Sequence, residues 1–165
     1  MASEHSLDIS AKIDLQAFKD AIAQSEKEVI GRYDFKGVAY EINYREKEKQ
    51  LVLVASSDNK LDALKDVVIG KLIKRGLSSK ALEELKTEDA SGGSRKATYK
   101  IVDTIDSKEA KKIIAEIKAL KTKASAIIEG EYIRVKSKQI DELQKIMSHI
   151  KAMEWEAPLV FENFR

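Results

Sequence analysis

Residue types that perform catalysis or hold metals are scarce in this 165-residue chain. There is no cysteine, which removes thiol nucleophiles, disulfides and thiolate zinc sites. The two histidines are His5, near the start, and His149, at the boundary of an apolar helical stripe formed by Ile140, Leu143, Met147 and Ile150. Neither has a triad or metal-ligand partner at a recognisable spacing, so both read as surface or helix-edge residues. The acids are equally plain. Asp14 and Asp106 stand where helical periodicity begins and read as N-caps, and most glutamates alternate with lysines as on a solvated face. No catalytic residue, metal ligand or cofactor is called for, and the expected protein is not an enzyme.

Phosphate binding is the next chemistry to test. Ser91-Gly92-Gly93-Ser94-Arg95-Lys96 has the glycines and cations of a phosphate cradle but fails as a Walker A loop. Its glycines are adjacent rather than four residues apart, and a strand pattern rather than a helix follows. A linker or exposed loop from Thr87 to Lys96 is the simpler reading. Basic residues gather in three other places. Lys71, Lys74 and Arg75 close a helical pattern, where cations meet the negative end of the helix dipole. Lys111, Lys112, Lys118, Lys121 and Lys123 spread around another helix as an ordinary solvated face. The third group is sharper. In Tyr132-Ile133-Arg134-Val135-Lys136, alternation sends Ile133 and Val135 to one side of a strand and Tyr132, Arg134 and Lys136 to the other. Lys100, alternating out from Tyr99 and Ile101, is expected to join them from a neighbouring strand. An aromatic plate among cations suits a stacked base and its phosphate. The same side chains would also serve to keep an exposed sheet solvated or to meet another domain, and no RNA-recognition signature of the Lys/Arg-Gly-aromatic type accompanies them.

The elements that must position these residues follow from periodicity. Leu7, Ile9, Ala11 and Ile13 alternate as in a half-buried strand; Leu15, Phe18, Ile22, Val29 and Tyr33 follow at helical spacing behind Asp14. A hairpin reads from Val38 to Ala55 through a charged turn, and a second helix from Leu61 to Leu72, capped by Ser57 or Asp58 and ended by Gly76. The series then recurs. Ile9, Ile13, Asp14, Lys19 and Ile22 correspond at one constant offset to Ile101, Ile105, Asp106, Lys111 and Ile114, and Leu61, Asp62, Leu64, Val67 and Val68 correspond at another to Ile140, Asp141, Leu143, Ile146 and Met147. Glu109 completes a potential capping box with Asp106.

Right-handed crossovers place both helices of each strand-helix-strand-strand-helix copy on one side of its sheet. The fold class expected is therefore α+β, two ferredoxin-like domains of βαββα with a closing strand, each sheet antiparallel with two helices on one face. Residues 1–90 form the first domain and 91–165 the second. The closing strand of the first is a poor candidate near Leu82 to Lys86, so the C-terminal strand, 158–164, is a competing candidate to complete the first sheet. In this division the open face of the first copy, Asp8, Ser10, Lys12, Glu41 and Asn43, is mixed in charge and that of the second is basic.

Composition bounds the partners. Charged residues are 35% of the chain and nearly balanced, giving a net charge of +2, so no global field recruits nucleic acid and any basic site is local. No apolar run approaches the roughly 18 residues of a membrane span, and the start, Met-Ala-Ser-Glu-His-Ser-Leu, has no signal-peptide pattern. A cytoplasmic protein without a membrane partner is expected.

Several segments together resemble the YajQ family of bacterial nucleotide-binding proteins over essentially the whole chain. They are Leu7-Asp8-Ile9, Arg32-Tyr33-Asp34-Phe35-Lys36, Lys71-Leu72-Ile73-Lys74-Arg75-Gly76, Ile128 to Val135, and Phe161-Glu162-Asn163-Phe164-Arg165. The resemblance implies two ferredoxin-like domains and a cytosolic bacterial protein that binds nucleotides, with cyclic di-GMP and RNA among the ligands proposed for members. It implies no established enzymatic activity. At matching positions it adds Arg32, Asp34, Lys36, Lys74, Arg75, Arg134, Asn163 and Arg165 as candidates, with Asp34 and Asn163 also suited to fixing their own turns. Together with Lys100, Tyr132 and Lys136, the cations and the tyrosine form the expected nucleotide- or RNA-binding set. A regulator or effector acting through a purine nucleotide, such as cyclic di-GMP, or RNA, with a protein partner, is the leading expectation; an oligomeric interaction module without a nucleotide ligand is the alternative.

Overall fold

A computed structural model describes residues 4–164. The order is β1 (His5–Ser10), α1 (Leu15–Gly31), β2 (Tyr40–Arg45), β3 (Gln50–Ala55), α2 (Asp58–Lys74), β4 (Leu82–Asp89), β5 (Arg95–Ile101), α3 (Ser107–Ala119), β6 (Ser125–Glu129), β7 (Tyr132–Ser137), α4 (Ile140–Ala152) and β8 (Val160–Glu162). The expected α+β class holds: there are two four-stranded antiparallel sheets and four helices in a two-domain ferredoxin-like arrangement.

Membership of the sheets differs from the tandem expectation. One sheet runs β6-β7-β1-β8 and the other β2-β3-β5-β4, so β1 and β5 have exchanged places. The compact units follow suit. One comprises 1–12 with 103–165, and the other is the continuous stretch 13–102. The division at 90/91 is thus corrected, and the C-terminal strand pairs with β1 in the sheet of β6 and β7 rather than completing the sheet of β2 and β3. The closing position beside β5 is taken by β4, which runs on from the weak Leu82–Lys86 candidate to Asp89. Thr87–Lys96 is consequently not an interdomain linker. Its centre is a tight β4–β5 connection in which the Ala90 N–H donates to the Ser94 carbonyl at 2.8 Å, and Gly92 and Gly93 supply φ of 72° and 78°, a backbone region costly for other residues.

The exchange is chemically consistent with the repeat. Since Ile9 corresponds to Ile101, Asp8 corresponds to Lys100. Asp8 stands opposite Arg134 of β7 and Glu162 of β8, whereas Lys100 stands opposite Gln50 and Glu83. The unexchanged arrangement would set Lys100 against Arg134 and Glu162 and Asp8 against Gln50 and Glu83, with two like-charge pairs where the structure has one, and like charges directly opposite destabilise a ladder.

Each unit has its own core. In the 13–102 unit Phe18, Leu51, Leu53, Leu64, Val68 and Leu72 are fully or nearly fully buried between α1, α2 and the sheet, each such side chain stabilising by roughly 1.5–3 kcal/mol. In the other, Leu7 and Ile9 of β1 join Ile113, Ile133, Val135, Leu143, Ile146 and Ile150. The alternating run Leu7 to Ile13 is not one strand: β1 ends at Ser10, and Ile13 packs into the core of the 13–102 unit. Tyr33 also departs from its expected stripe. It lies beyond the end of α1 in a short 3-10 turn and is 89% exposed.

The caps form as expected at Asp14, Ser57 and Asp106, which accept from the N–H groups of Ala17, Lys60 and Glu109 at 3.1, 3.2 and 2.8 Å. Glu109 does not close a capping box. Its buried carboxylate instead accepts from the N–H groups of Glu156 and Ala157 at 2.7 and 2.9 Å, tying the segment after α4 to the start of α3. Two backbone donors outweigh the single one that a capping box offers. Glu109→Ala leaves both donors unmatched and is expected to cost about 2–4 kcal/mol, measured by denaturant unfolding, with Glu109→Gln recovering part of the loss.

Candidate functional site

The helices α3 and α4 cover one face of the β6-β7-β1-β8 sheet. On the other face, strand alternation and register bring together Tyr132, Arg134 and Lys136 of β7 with Ser6, Asp8 and Ser10 of β1, flanked by Glu129 and Glu162. The expected trio of β7 is therefore present on one face, but its neighbours are acids. Asp8, only 4% exposed, accepts from Arg134 Nε at 3.0 Å and Nη2 at 3.4 Å and from Asn163 Nδ2 at 2.9 Å. A second Arg134 contact reaches Glu129 at 3.4 Å. Hydrogen bonding to Asp8 is the largest reason the guanidinium is held above its ordinary pKa. The Tyr132 hydroxyl donates to Glu129 at 3.0 Å, which raises its pKa, and the Arg134 guanidinium lies 5.2 Å from the centre of its ring. Asn163 holds φ of 54°, the left-handed region that asparagine tolerates, and this turn presents its amide to Asp8.

A depression of about 380 Å³ opens at this place. Among the described residues its cations are Lys12 and Arg134, its carboxylates Asp8, Asp103, Glu131 and Glu162, and its neutral polar groups Ser10, Tyr132 and Asn163. Ser10 is 6% exposed, and its Oγ is a buried polar atom without a hydrogen-bond partner. Nearly all buried polar atoms are partnered, so this hydroxyl is unusual. Sequence reading had placed Ser10 and Lys12 on a different face, because it assigned β1 to the other sheet.

The remaining candidates lie elsewhere. Lys100 is exposed on β5, in the β2-β3-β5-β4 sheet, and does not join Tyr132 and Arg134. Its strand was exchanged with β1, and Asp8 takes the position it was expected to hold. Arg32 leads into the 3-10 turn Tyr33–Phe35, donating to Asp34 at 2.9 and 2.8 Å, and its guanidinium sits 5.9 Å from the Phe35 ring centre. That bond to Asp34 chiefly raises the Arg32 pKa and lowers that of Asp34. Lys36 is exposed just after the turn, and Lys74 and Arg75 are exposed at the end of α2. There Lys71 bonds Glu28 at 3.0 Å and holds its carboxyl below the usual range. Arg165 lies outside the described residues. A larger opening of about 560 Å³ lies over the second sheet, with Glu41, Arg45, Lys96 and Glu88 and the turn residues Ala90, Ser91 and Ser94 in its lining. Among the described residues no group of three or more His, Asp or Glu side chains is arranged to hold a metal ion.

The family described as nucleotide-binding protein YajQ-like matches residues 5–165. The chain belongs to the YajQ-like family. A relative from Sulfurimonas denitrificans is 67% identical over the full length of both chains, and relatives from a Sulfurovum species and Campylobacter concisus are 53% and 52% identical over the same span. Each bears the name nucleotide-binding protein, which names binding and no reaction. No helix among the described residues of this YajQ-like chain is long and apolar enough to cross a membrane.

The Asp8–Arg134 pair makes a direct prediction. Arg134→Ala takes the arginine away from a carboxylate that is almost wholly buried, and one-sided removal is the costly way to break such a pair. A fall in melting temperature on the order of 5 °C is expected. Adding Asp8→Asn removes the buried charge and restores most of the loss in a double-mutant cycle by thermal unfolding.

Proposed function

We propose that this chain is a noncatalytic nucleotide-binding protein whose site is the open face of the sheet containing β1 and β7, and that it acts as a regulator through the nucleotide or RNA it holds. The observation that carries the reading is the depression beside Tyr132 and Arg134, where an aromatic ring, a planar cation and polar side chains converge. Ring and guanidinium faces suit a base of any sequence, and relatives spanning the whole chain carry the name nucleotide-binding protein. Mononucleotides, cyclic dinucleotides such as cyclic di-GMP, and single-stranded RNA are the ligand classes that fit such a surface. Lys136, on the same strand and face, extends it toward a second phosphate. The half-buried Arg32 and the exposed Lys36, Lys74, Arg75 and Lys100 supply secondary electrostatic contacts in this reading, with Arg165 as a further candidate.

Arg134 also secures Asp8, so the cleaner test of the surface is Tyr132→Ala combined with Lys136→Ala. Loss of a stacking plate and one cation is expected to weaken binding roughly 10- to 100-fold in titrations with nucleotides and short RNA, with thermal unfolding nearly unchanged. Undiminished affinity removes this face from the site.

One observation favours a second reading, an assembly module. The edge strand β6 exposes Ile127 and Ile128 at 48% and 49%, and an apolar edge invites pairing with another chain. Light scattering on wild type and on Ile127→Lys separates the two: an oligomer that the lysine disperses, with no thermal shift from any nucleotide, supports assembly.

A further inference from the structure

The charges of α3 are one-sided. Residues 107–123, the helix and its exit, hold Lys108, Lys111, Lys112, Lys118, Lys121 and Lys123 against two glutamates, although the whole chain carries only +2 and its remainder is therefore acidic on balance. Neither glutamate pairs with them. Glu109 is buried on the N–H groups of Glu156 and Ala157, and Glu116 contacts His149 of α4 at 3.1 Å. All six lysines are exposed, and among the described residues none of them makes an ion pair.

The even spread around the helix expected from their order in the chain does not hold. At 3.6 residues per turn, Lys108, Lys111, Lys112, Ala115, Lys118 and Ala119 fall within one arc of about 120°. Each of these residues is exposed, and Ala110, Ile113 and Ile117 are buried on the opposite side. Asp106 and Glu156 border the N-terminal end of this face and Glu142 the C-terminal end, but the arc itself holds no acid. Helix stability does not account for it. Lys108 stands three and four residues before Lys111 and Lys112, spacings at which like charges repel, and it faces the unfavourable end of the helix dipole. In α1, α2 and α4 acids alternate with the cations instead.

We infer that this face of α3 is a docking surface for the backbone of nucleic acid, reading charge and not sequence. Its cations are all lysine, a compact point charge that meets single phosphates, and the arc has no arginine, asparagine, glutamine or aromatic residue to read a base edge. Protein interfaces favour arginine and aromatic anchors and are depleted in lysine, while a helix lying on a membrane presents large apolar side chains. Here the uncharged positions are alanines, which let a backbone approach closely. The 13-residue helix is about 20 Å long, a length over which a duplex carries on the order of ten phosphates. This surface lies in the helical layer, across the sheet from Tyr132, so it adds to the nucleotide reading without depending on it.

The test measures fluorescence anisotropy of two RNA duplexes of about 20 base pairs and unrelated sequence with the full chain, across a salt series. Both duplexes are expected to bind alike, with log K falling against log salt at a slope of about −3 to −4 for four lysines. Lys111→Gln with Lys118→Gln makes that slope shallower by about 2 and weakens both duplexes by at least about 10-fold at low salt. Lys27→Gln with Lys47→Gln, exposed lysines elsewhere, changes neither. No duplex binding by the wild type, affinity indifferent to the α3 pair, or a strong preference for one sequence overturns the inference. So does binding of anionic phosphatidylserine vesicles that the α3 pair abolishes while duplex binding persists. Mononucleotides titrated in parallel keep the two readings apart: their binding survives the α3 pair, and its loss there overturns the separateness of the surface. Duplex binding as described without any mononucleotide binding leaves this inference standing and removes the site beside Tyr132.

Discussion

The arrangement rests on one topological constraint: the third strand in the order of each sheet belongs, by repeat position, to the other half of the sequence. β1 fills the slot between β7 and β8, and β5 fills the slot between β3 and β4. An internal repeat makes this exchange cheap in principle, because equivalent strands carry the same alternation and satisfy the same ladder. What distinguishes the two outcomes is the pattern of polar residues on the open faces. Asp8 meets Arg134 and Lys100 lies across from Glu83, leaving one like-charge pair, Asp8 with Glu162, whereas the tandem alternative has two. A few charges thus favour one of two arrangements that the apolar pattern treats as equal. A chain cut between residues 90 and 91 leaves each half with a complete set of element types and the wrong central strand.

The exchange also remakes the open faces. Read as tandem copies, the chain has one mixed face and one basic face. In the structure Asp8, Ser10 and Lys12 leave the mixed face for the sheet of Tyr132 and Arg134, and Lys100 takes the opposite route. The surface beside Tyr132 thereby gains a buried carboxylate that captures the arginine expected to meet phosphate. Arg134 changes role with it, from a mobile surface cation to a rigid planar wall fixed by Asp8 on one side and Glu129 on the other. Fixing a guanidinium before a ligand arrives lowers the ordering cost of binding. The same interaction organises the face.

Much of this was legible in the sequence. The helices and their caps at Asp14, Ser57 and Asp106 are local properties, set by a side chain and an N–H three residues away. The alternation of Ile133 and Val135 against Tyr132, Arg134 and Lys136 likewise fixes which residues share a face. Pairing partners are another matter. A period of two says that one side of a strand is buried and is silent about which core buries it, so Leu7, Ile9 and Ile13 form one uninterrupted pattern although Ile13 belongs to the other core. Glu109 illustrates the same limit for polar groups. Three residues after Asp106 it has the spacing of a capping box, yet its carboxylate takes two backbone donors nearly fifty residues downstream, which no local rule ranks.

Ser10 follows from that limit. In an isolated strand pattern it is an ordinary outward serine, and assigned to the 13–102 unit it would carry no special weight. In the structure it is buried on β1, between β7 and β8, with its oxygen unpartnered. A hydroxyl sealed on a sheet face without a partner costs stability that substitution by alanine would recover. Its presence next to Asp8, whose own bonds to Arg134 and Asn163 position it well, sets a destabilised group beside a carefully satisfied one. The exchange of strands is what brings that residue to the lining of the depression.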